Sequence, residues 1–219
     1  MLPDRSGTTH ETTLSQQRRV PLRCQPMSGP PIRVASKAVI VDDGEILLTR
    51  NLHPEDPDGE FFLLPGGGQN YGEPLDDCLR REVCEETGYS VEVGDVLWVR
   101  DYIGAGHQFA AFEPDVHQIE IMFSCSVDRS RPPADPVEED AWQLSVDWVP
   151  LEDLPTLRFF PAALVPRLAA LSGEGVGGPR YLGDVNKGVT RRPRTASAGG
   201  CWSPPKHWRR PSLLRRPSD

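Results

Sequence analysis

Three glutamates, Glu82, Glu85 and Glu86, crowd into one short stretch of the chain. Around them, Leu75, Cys78, Leu79 and Val83 mark the apolar stripe of a helix expected over Pro74 to Thr87. At ~100° per residue Glu82 and Glu86 fall inside that stripe and Glu85 at its edge, so carboxylates stand where packing asks for apolar groups. Like charges so placed repel one another and lose hydration unless positive charge reaches them. Arg81 alone cannot neutralise three. A hard divalent cation can, because Mg2+ or Mn2+ prefers carboxylate and water oxygens and accepts substrate phosphates in its remaining positions. A solvated acidic face paired with Arg80 and Arg81 is the commoner meaning of such clusters. The spacing of the longer run that contains the glutamates overrides it; just upstream, Gly66, Gly67 and Gly68 let backbone approach a ligand or metal closely, which makes Gly66 and Gly68 candidate substrate contacts. Alone, those glycines would be read as a strand-to-helix turn.

The elements that must hold this stretch are legible on both sides. Ala38 to Val41 and Ile46 to Leu48 flank Asp42-Asp43-Gly44-Glu45, whose Asp-Gly pair suits a tight hairpin turn. Phe61 to Leu64 has the content of a short buried strand, stopped by Pro65 and the glycines. The helix signals come next, with Glu73 expected at the N-cap, Pro74 at the first helical position, Asp76 and Asp77 in the first turn, and Gly88 as a left-handed terminator. Val91 to Tyr102, His117 to Val127 and Val146 to Val149 read as strands. Pro161 to Leu171 reads as a second helix, weakened by Pro166. Strands alternating with helices predict an α/β fold with a mixed sheet and helices on its faces.

The run Gly67, Glu73, Arg81, Glu82, Val83, Glu85, Glu86, Gly88 fits Gly-x5-Glu-x7-Arg-Glu-apolar-x-Glu-Glu-x-Gly-apolar, and so resembles the Nudix box over its full length, Gly67 to Tyr89. Its seven fixed letters would coincide in a chain this long with odds on the order of one in a million. Tyr89 departs from the usual aliphatic residue, at a position that serves packing. Similarity to bacterial Nudix domains extends over about Ile32 to Asn186, through Leu64 to Gln69, His117 to Glu120 and Asp147 to Leu151. The resemblance implies an α/β/α sandwich in which the box forms a loop-helix-loop. It also implies that Glu82, Glu85 and Glu86 are metal ligands, that Gly67 offers its carbonyl, and that Arg81 holds the glutamates through ion pairs. The implied enzyme is a pyrophosphohydrolase cutting the diphosphate of a nucleoside diphosphate linked to another moiety, by attack of metal-activated water. Family members place the general base on different elements. Candidates here are Glu86, Glu120, Glu138, Glu139 and Asp147, with Glu120 set first, and His117 as a histidine more readily explained as structural. Tyr102, His107, Phe109 and Phe112 lie in or beside one long loop, where aromatic rings either stack on a nucleobase or pack locally. Phe109 and Phe112 are the expected substrate contacts among them.

Composition bounds the rest. The 219 residues suit one domain with tails: a flexible leader over 1–31, a domain over 32–186 and a basic, disordered tail over 187–219. The net charge of −8 conceals an asymmetry, since Thr190 to Asp219 holds eight Lys and Arg and one acidic residue. The remainder carries 16 basic against 31 acidic residues, a net of −15. So acidic a body disfavours nucleic-acid binding except through the tail, and suits a site that gathers cations. Five scattered cysteines form neither a metal spacing nor a secreted disulfide framework, which points to a reducing cytoplasm. Cys78 and Cys84 read as small buried or half-exposed thiols. No apolar run is long enough to cross a bilayer. The expected partner is a small nucleotide-like molecule, with a homodimer expected from the resemblance alone. Two rival readings are a catalytically silent Nudix-fold sensor of a nucleotide metabolite, and a basic arm, with Arg-Arg-Pro-Ser at 209–212 and 215–218, as the functional element.

Overall fold

The computed structural model describes residues 29–107, 109–131, 133–134, 141–172 and 177–185. Most of the expected leader and the whole basic tail lie outside them, as do Glu138 and Glu139.

The hairpin forms where the Asp-Gly pair stands: β1 (Arg33–Asp42) and β2 (Glu45–Asn51) are joined through Asp43 and Gly44, at φ 47° and 78°. Two successive positive φ values give the turn the twist that its strands require. β3 (Phe61–Leu63), β4 (Val91–Ile103), β5 (His117–Val127) and β6 (Gln143–Pro150) complete one six-stranded sheet in the order β3-β2-β1-β5-β4, with β6 paired to β2. β1 runs parallel to β5 while the other pairs are antiparallel, so the sheet is mixed.

The first helix, α1 (Leu75–Thr87), starts one residue later than expected. Pro74, with extended φ and ψ, is the N-cap residue, because the Glu73 side chain is engaged elsewhere. Gly88 ends the helix at φ 71°. α1 packs Leu79 and Val83 against Ala38, Ile40, Leu47 and Phe123 on one face of the sheet. The opposite face meets a second cluster that includes Val39, Ile46, Leu48, Trp98, Met122, Leu164 and Leu168. Each such fully buried aliphatic side chain contributes about 1.5–3 kcal/mol relative to exposure. Over the second cluster the expected long helix is broken into 3₁₀ turns on either side of a short α2 (Val165–Ala169). Pro166 falls in the first turn of α2, where the missing N–H has no helical partner to lose. Helical segments on both faces of a mixed sheet give the expected α/β sandwich.

Past the last helical turn, residues 180–183 run beside β4. The Val99 N–H donates to the Arg180 carbonyl at 2.8 Å, the Leu182 N–H to the Val99 carbonyl at 2.9 Å and the Asp101 N–H to the Gly183 carbonyl at 3.1 Å. This strap lies within the expected domain and covers an edge that would otherwise expose unpaired backbone. Among the described residues no helix is long and apolar enough to cross a membrane.

Candidate functional site

The glycine loop is fastened to β1 by its backbone. The Ser36 N–H donates to the Gly67 carbonyl at 3.0 Å, the Ala38 N–H to the Pro65 carbonyl at 2.9 Å, and the Gln69 N–H to the Val34 carbonyl at 2.9 Å. Two of the glycines make close approaches. Gly66 sits at φ 119°, and a Cβ there would lie 2.3 Å from the Ser36 carbonyl. A Cβ at Gly67 would lie 2.2 Å from Glu82 Oε2, so the loop is kept bare where it meets the carboxylate.

On α1 the helical stripe is as the spacing predicts: Cys78, Leu79, Glu82, Val83, Glu86 and Thr87 are buried. Cys78 is a buried free thiol and Cys84 a half-buried one. The glutamates also occupy the last turns, where the helix dipole is negative and no basic residue compensates. Arg81 supplies the local counter-charge. Its Nε and Nη2 bond the two carboxylate oxygens of Glu73 at 2.8 and 2.9 Å, its Nη1 reaches Glu82 at 2.7 Å and Glu85 at 3.2 Å, and Nη2 also donates to the Gly68 carbonyl at 3.2 Å. Bonding to Glu73, foremost, and to Glu82 raises the Arg81 pKa, and the same bond to Arg81 holds the Glu73 carboxyl below its ordinary range. Glu86 stands apart from this knot, accepting from the Gly66 N–H at 2.8 Å.

Of these groups Gly68 and Glu86 line a cleft of about 1080 Å3, its open mouth included, whereas Glu73, Arg81, Glu82 and Glu85 do not. Glu86 and Glu120 both line it, with Lys37, Gly67 and Gly68. Glu120 faces Arg100 across the β4–β5 ladder and accepts from its Nε at 2.6 Å, while Gln118 Nε2 donates to the other carboxylate oxygen at 3.2 Å. Burial would raise the Glu120 pKa, but Arg100 and Lys37 outweigh it and hold the carboxyl below its ordinary range. Lys37 Nζ donates to the Gly66 carbonyl. The same lining is rich in aromatic rings, with His53, Phe61, Phe109, Phe112, Trp142 and Phe160. Phe109 lies 5.0 Å from Phe61 and 5.5 Å from Phe160 between ring centroids, and Phe112 lies 4.3 Å from His53.

Of the residues singled out in the sequence, Gly67, Gly68, Glu86, Phe109, Phe112 and Glu120 thus meet in one cleft, and Arg81 ties Glu82 and Glu85 beside it. Gly66 reaches the cleft only through its hydrogen-bonding to Lys37 and Glu86. The Gly67 carbonyl, expected at a metal, accepts from the Ser36 N–H, and that of Gly66 meets the Lys37 ammonium. Neither His117 nor Asp147 lines the cleft: His117 is paired with Asp101 at 3.3 Å and Asp147 with Arg50 at 3.3 Å. Arg100, Lys37, Trp142 and Glu113 border it without having been singled out. Only strand register could have found Arg100, as the cross-strand partner of Glu120.

The donors fit a hard divalent cation in kind, being carboxylates and backbone carbonyls, and a cation already lies against the Gly66 oxygen in the form of Lys37. They are not a finished cage. Among the described residues no three His, Cys, Asp or Glu side chains are arranged to hold a metal ion.

The family model described as NUDIX domain matches residues 31–168. Among solved structures, the chain is similar to a MutT protein from Methanosarcina mazei Go1, at 24% identity and a TM-score of 0.50, over 66% of this chain and 97% of that one. It is also similar to a NUDIX hydrolase from Nitrosomonas europaea, at 19% identity and a TM-score of 0.50, over 63% of this chain and 86% of that one. At these identities the likeness speaks for the fold alone. The family match runs through the glycine loop, α1 and the cleft-lining strands, and covers well over half of the sequence: the chain belongs to the NUDIX hydrolase family.

Proposed function

We propose that this NUDIX pyrophosphohydrolase cleaves the diphosphate of a nucleoside diphosphate linked to another moiety, and that Glu82, Glu85 and Glu86 hold Mg2+ or Mn2+ beside the glycine loop. The observation that carries this reading is the shared cleft, whose lining combines Glu86, Glu120 and the loop glycines with a cluster of aromatic rings. Such a cleft matches a molecule with a charged centre and a planar end. When bound, the divalent cation neutralises diphosphate charge and lowers the pKa of water.

The chain's own groups divide the remaining work. Arg81 fixes Glu82 and Glu85 through direct ion pairs and anchors itself on Glu73. The Gly67 carbonyl offers the cation the lone pair left after its bond from Ser36. Lys37 adds positive charge where a diphosphate would lie. Glu120, kept ionised by Arg100 and Lys37, accepts the proton released by the attacking water. Phe109 and Phe112 give the substrate's planar end a surface to stack on.

The test is product release from a panel of dinucleoside polyphosphates, ADP-ribose, NADH, sugar nucleotides and nucleoside triphosphates with Mg2+ or Mn2+, comparing the natural chain with Glu85→Gln and Glu86→Gln. Turnover of at least one class, lost by about 100-fold or more in both variants, is expected. A panel left intact by the natural chain, with a compound that nevertheless raises the melting temperature, would make the protein a sensor instead.

A further inference from the structure

Two residues that line the cleft carry donors that the chain does not satisfy. Arg100 and His107 are 4% and 5% exposed and both line the cleft, yet Arg100 Nη1 and His107 Nε2 have no hydrogen-bond partner. Native proteins rarely leave such atoms unmet, because each has given up its water without a replacement. Two other buried polar atoms are unpartnered among the described residues, Trp98 Nε1 and Gln143 Oε1, and neither residue lines the cleft. Two of the three unmet donors thus belong to residues of the cleft wall.

Their geometry and protonation are set by neighbours. The Arg100 guanidinium carbon lies 5.5 Å from the Tyr102 ring centroid and the His107 ring 4.5 Å from the same centroid, so the two flank one aromatic side chain. Tyr102 is itself fixed by donating its hydroxyl to Glu113 at 2.6 Å. Arg100 is oriented by its Nε bond to Glu120, which leaves Nη1 directed elsewhere. In His107, Nδ1 accepts from the Phe109 N–H at 3.3 Å, which places the ring proton on Nε2. Burial, aided by the Arg100 charge, pushes the His107 pKa down to about 3, and the ring is neutral. Arginine has no acceptor. Both unmet atoms are consequently donors only, and they ask for acceptors.

We propose that the cleft takes a nucleobase with an oxo group at purine C6 or pyrimidine C4, and that Arg100 and His107 determine specificity by donating to that edge. This rests on reading the cleft as a nucleotide-diphosphate site and goes on to choose the base. Phe109 and Phe112 supply faces on which any base stacks, and stacking alone discriminates little. Discrimination comes from the donors. An amino group turned toward them sets N–H against N–H, whereas a carbonyl oxygen satisfies one donor or both, and a site built this way rejects the mismatched analogue strongly.

Matched pairs isolate the group concerned. Binding of the non-hydrolysable α,β-methylene diphosphates of inosine and adenosine, and of uridine and cytidine, is measured by titration calorimetry on the full chain and on His107→Phe, which keeps a ring and loses the donor. The oxo member of at least one pair is expected to bind the natural chain about tenfold or more tightly than its amino partner. In His107→Phe that preference is expected to fall to within about threefold, mainly by weakening of the oxo member. Equal affinities within both pairs, no detectable binding of all four, or an undiminished preference in the variant would each overturn the proposal. Should the variant fail to fold, the comparison on the natural chain decides. Hydrolysis of the wider panel without any base preference removes this inference and leaves the hydrolase reading standing. The expected preference without hydrolysis of any compound does the reverse.

Discussion

Arg81 shows how much of the site depends on the shape of one side chain. Its two edges serve different partners: Nε and Nη2 clasp Glu73, while Nη1 holds Glu82 and Glu85. A lysine would keep the charge and lose the fork, since an ammonium is a point donor. Arg81→Lys is therefore expected to lower turnover by about tenfold to 100-fold, with the melting temperature falling by only a few degrees. Turnover within twofold of the natural chain would mean that charge alone is enough. His107 carries a second prediction. Its folded pKa of about 3 lies below the ordinary histidine value of 6.5, so between these two the unfolded chain takes a proton that the folded chain refuses. Stability is then fully present above about pH 6.5 and is lost as pH falls toward 3, at up to about 1.4 kcal/mol per pH unit. Urea unfolding at pH 7 and pH 5 should show the natural chain losing about 1–2 kcal/mol more than His107→Phe. Equal losses would mean that the ring is protonated in the fold.

At the scale of elements, what could be read from the sequence depended on how local its cause was. The β1–β2 turn and the Gly88 terminus depend on the backbone freedom of one or two residues, and both stand where the sequence put them. Glu82 and Glu86 in the buried stripe came from helical period alone, as did Glu85 at its edge. The N-cap was misplaced by one residue because Glu73 is drawn to Arg81, eight positions away, in preference to the helix end. The second helix, weakened in the sequence by Pro166, is interrupted there, and its α-helical turn starts just before the proline. Arg100 and Lys37 escaped notice because neither belongs to a local pattern: they reach the cleft through strand pairing and through the close passage of the glycine loop. The Gly88 terminus has a further constraint that its sequence position does not reveal. A Cβ there would lie 1.9 Å from the Ala134 carbonyl, whose own N–H donates to the Gly88 carbonyl at 3.0 Å. Gly88→Ala thus adds a clash to an unfavourable left-handed conformation and is expected to cost about 1–3 kcal/mol by denaturant titration. A loss under about 0.5 kcal/mol would show that the 133–134 segment can move aside freely.

On the scale of the whole molecule, the folded unit extends beyond the family match, which ends at residue 168. The strap at 180–183 adds three backbone hydrogen bonds to β4, lays Leu182 against the larger core cluster, and bonds Tyr181 to Asp101 and Arg180 to the carbonyls of Val96 and Leu97. At about 0.5–1.5 kcal/mol net for each backbone bond, together with the partial burial of Leu182, its removal should cost about 2–4 kcal/mol. It would also uncover the N–H and C=O of Val99 and the N–H of Asp101 on an outer strand, which is the usual template for pairing with a second chain. Two truncations separate the strap from the residues C-terminal to it. A chain ending at Asn186 keeps the strap and should match the full chain in urea midpoint and in sedimentation. A chain ending at Ser172 loses it, and should unfold at lower urea and sediment as larger species with rising concentration. If the shorter chain instead stays as stable as the longer one and does not associate further, β4 tolerates an open edge, and the strap serves something other than closing the sheet.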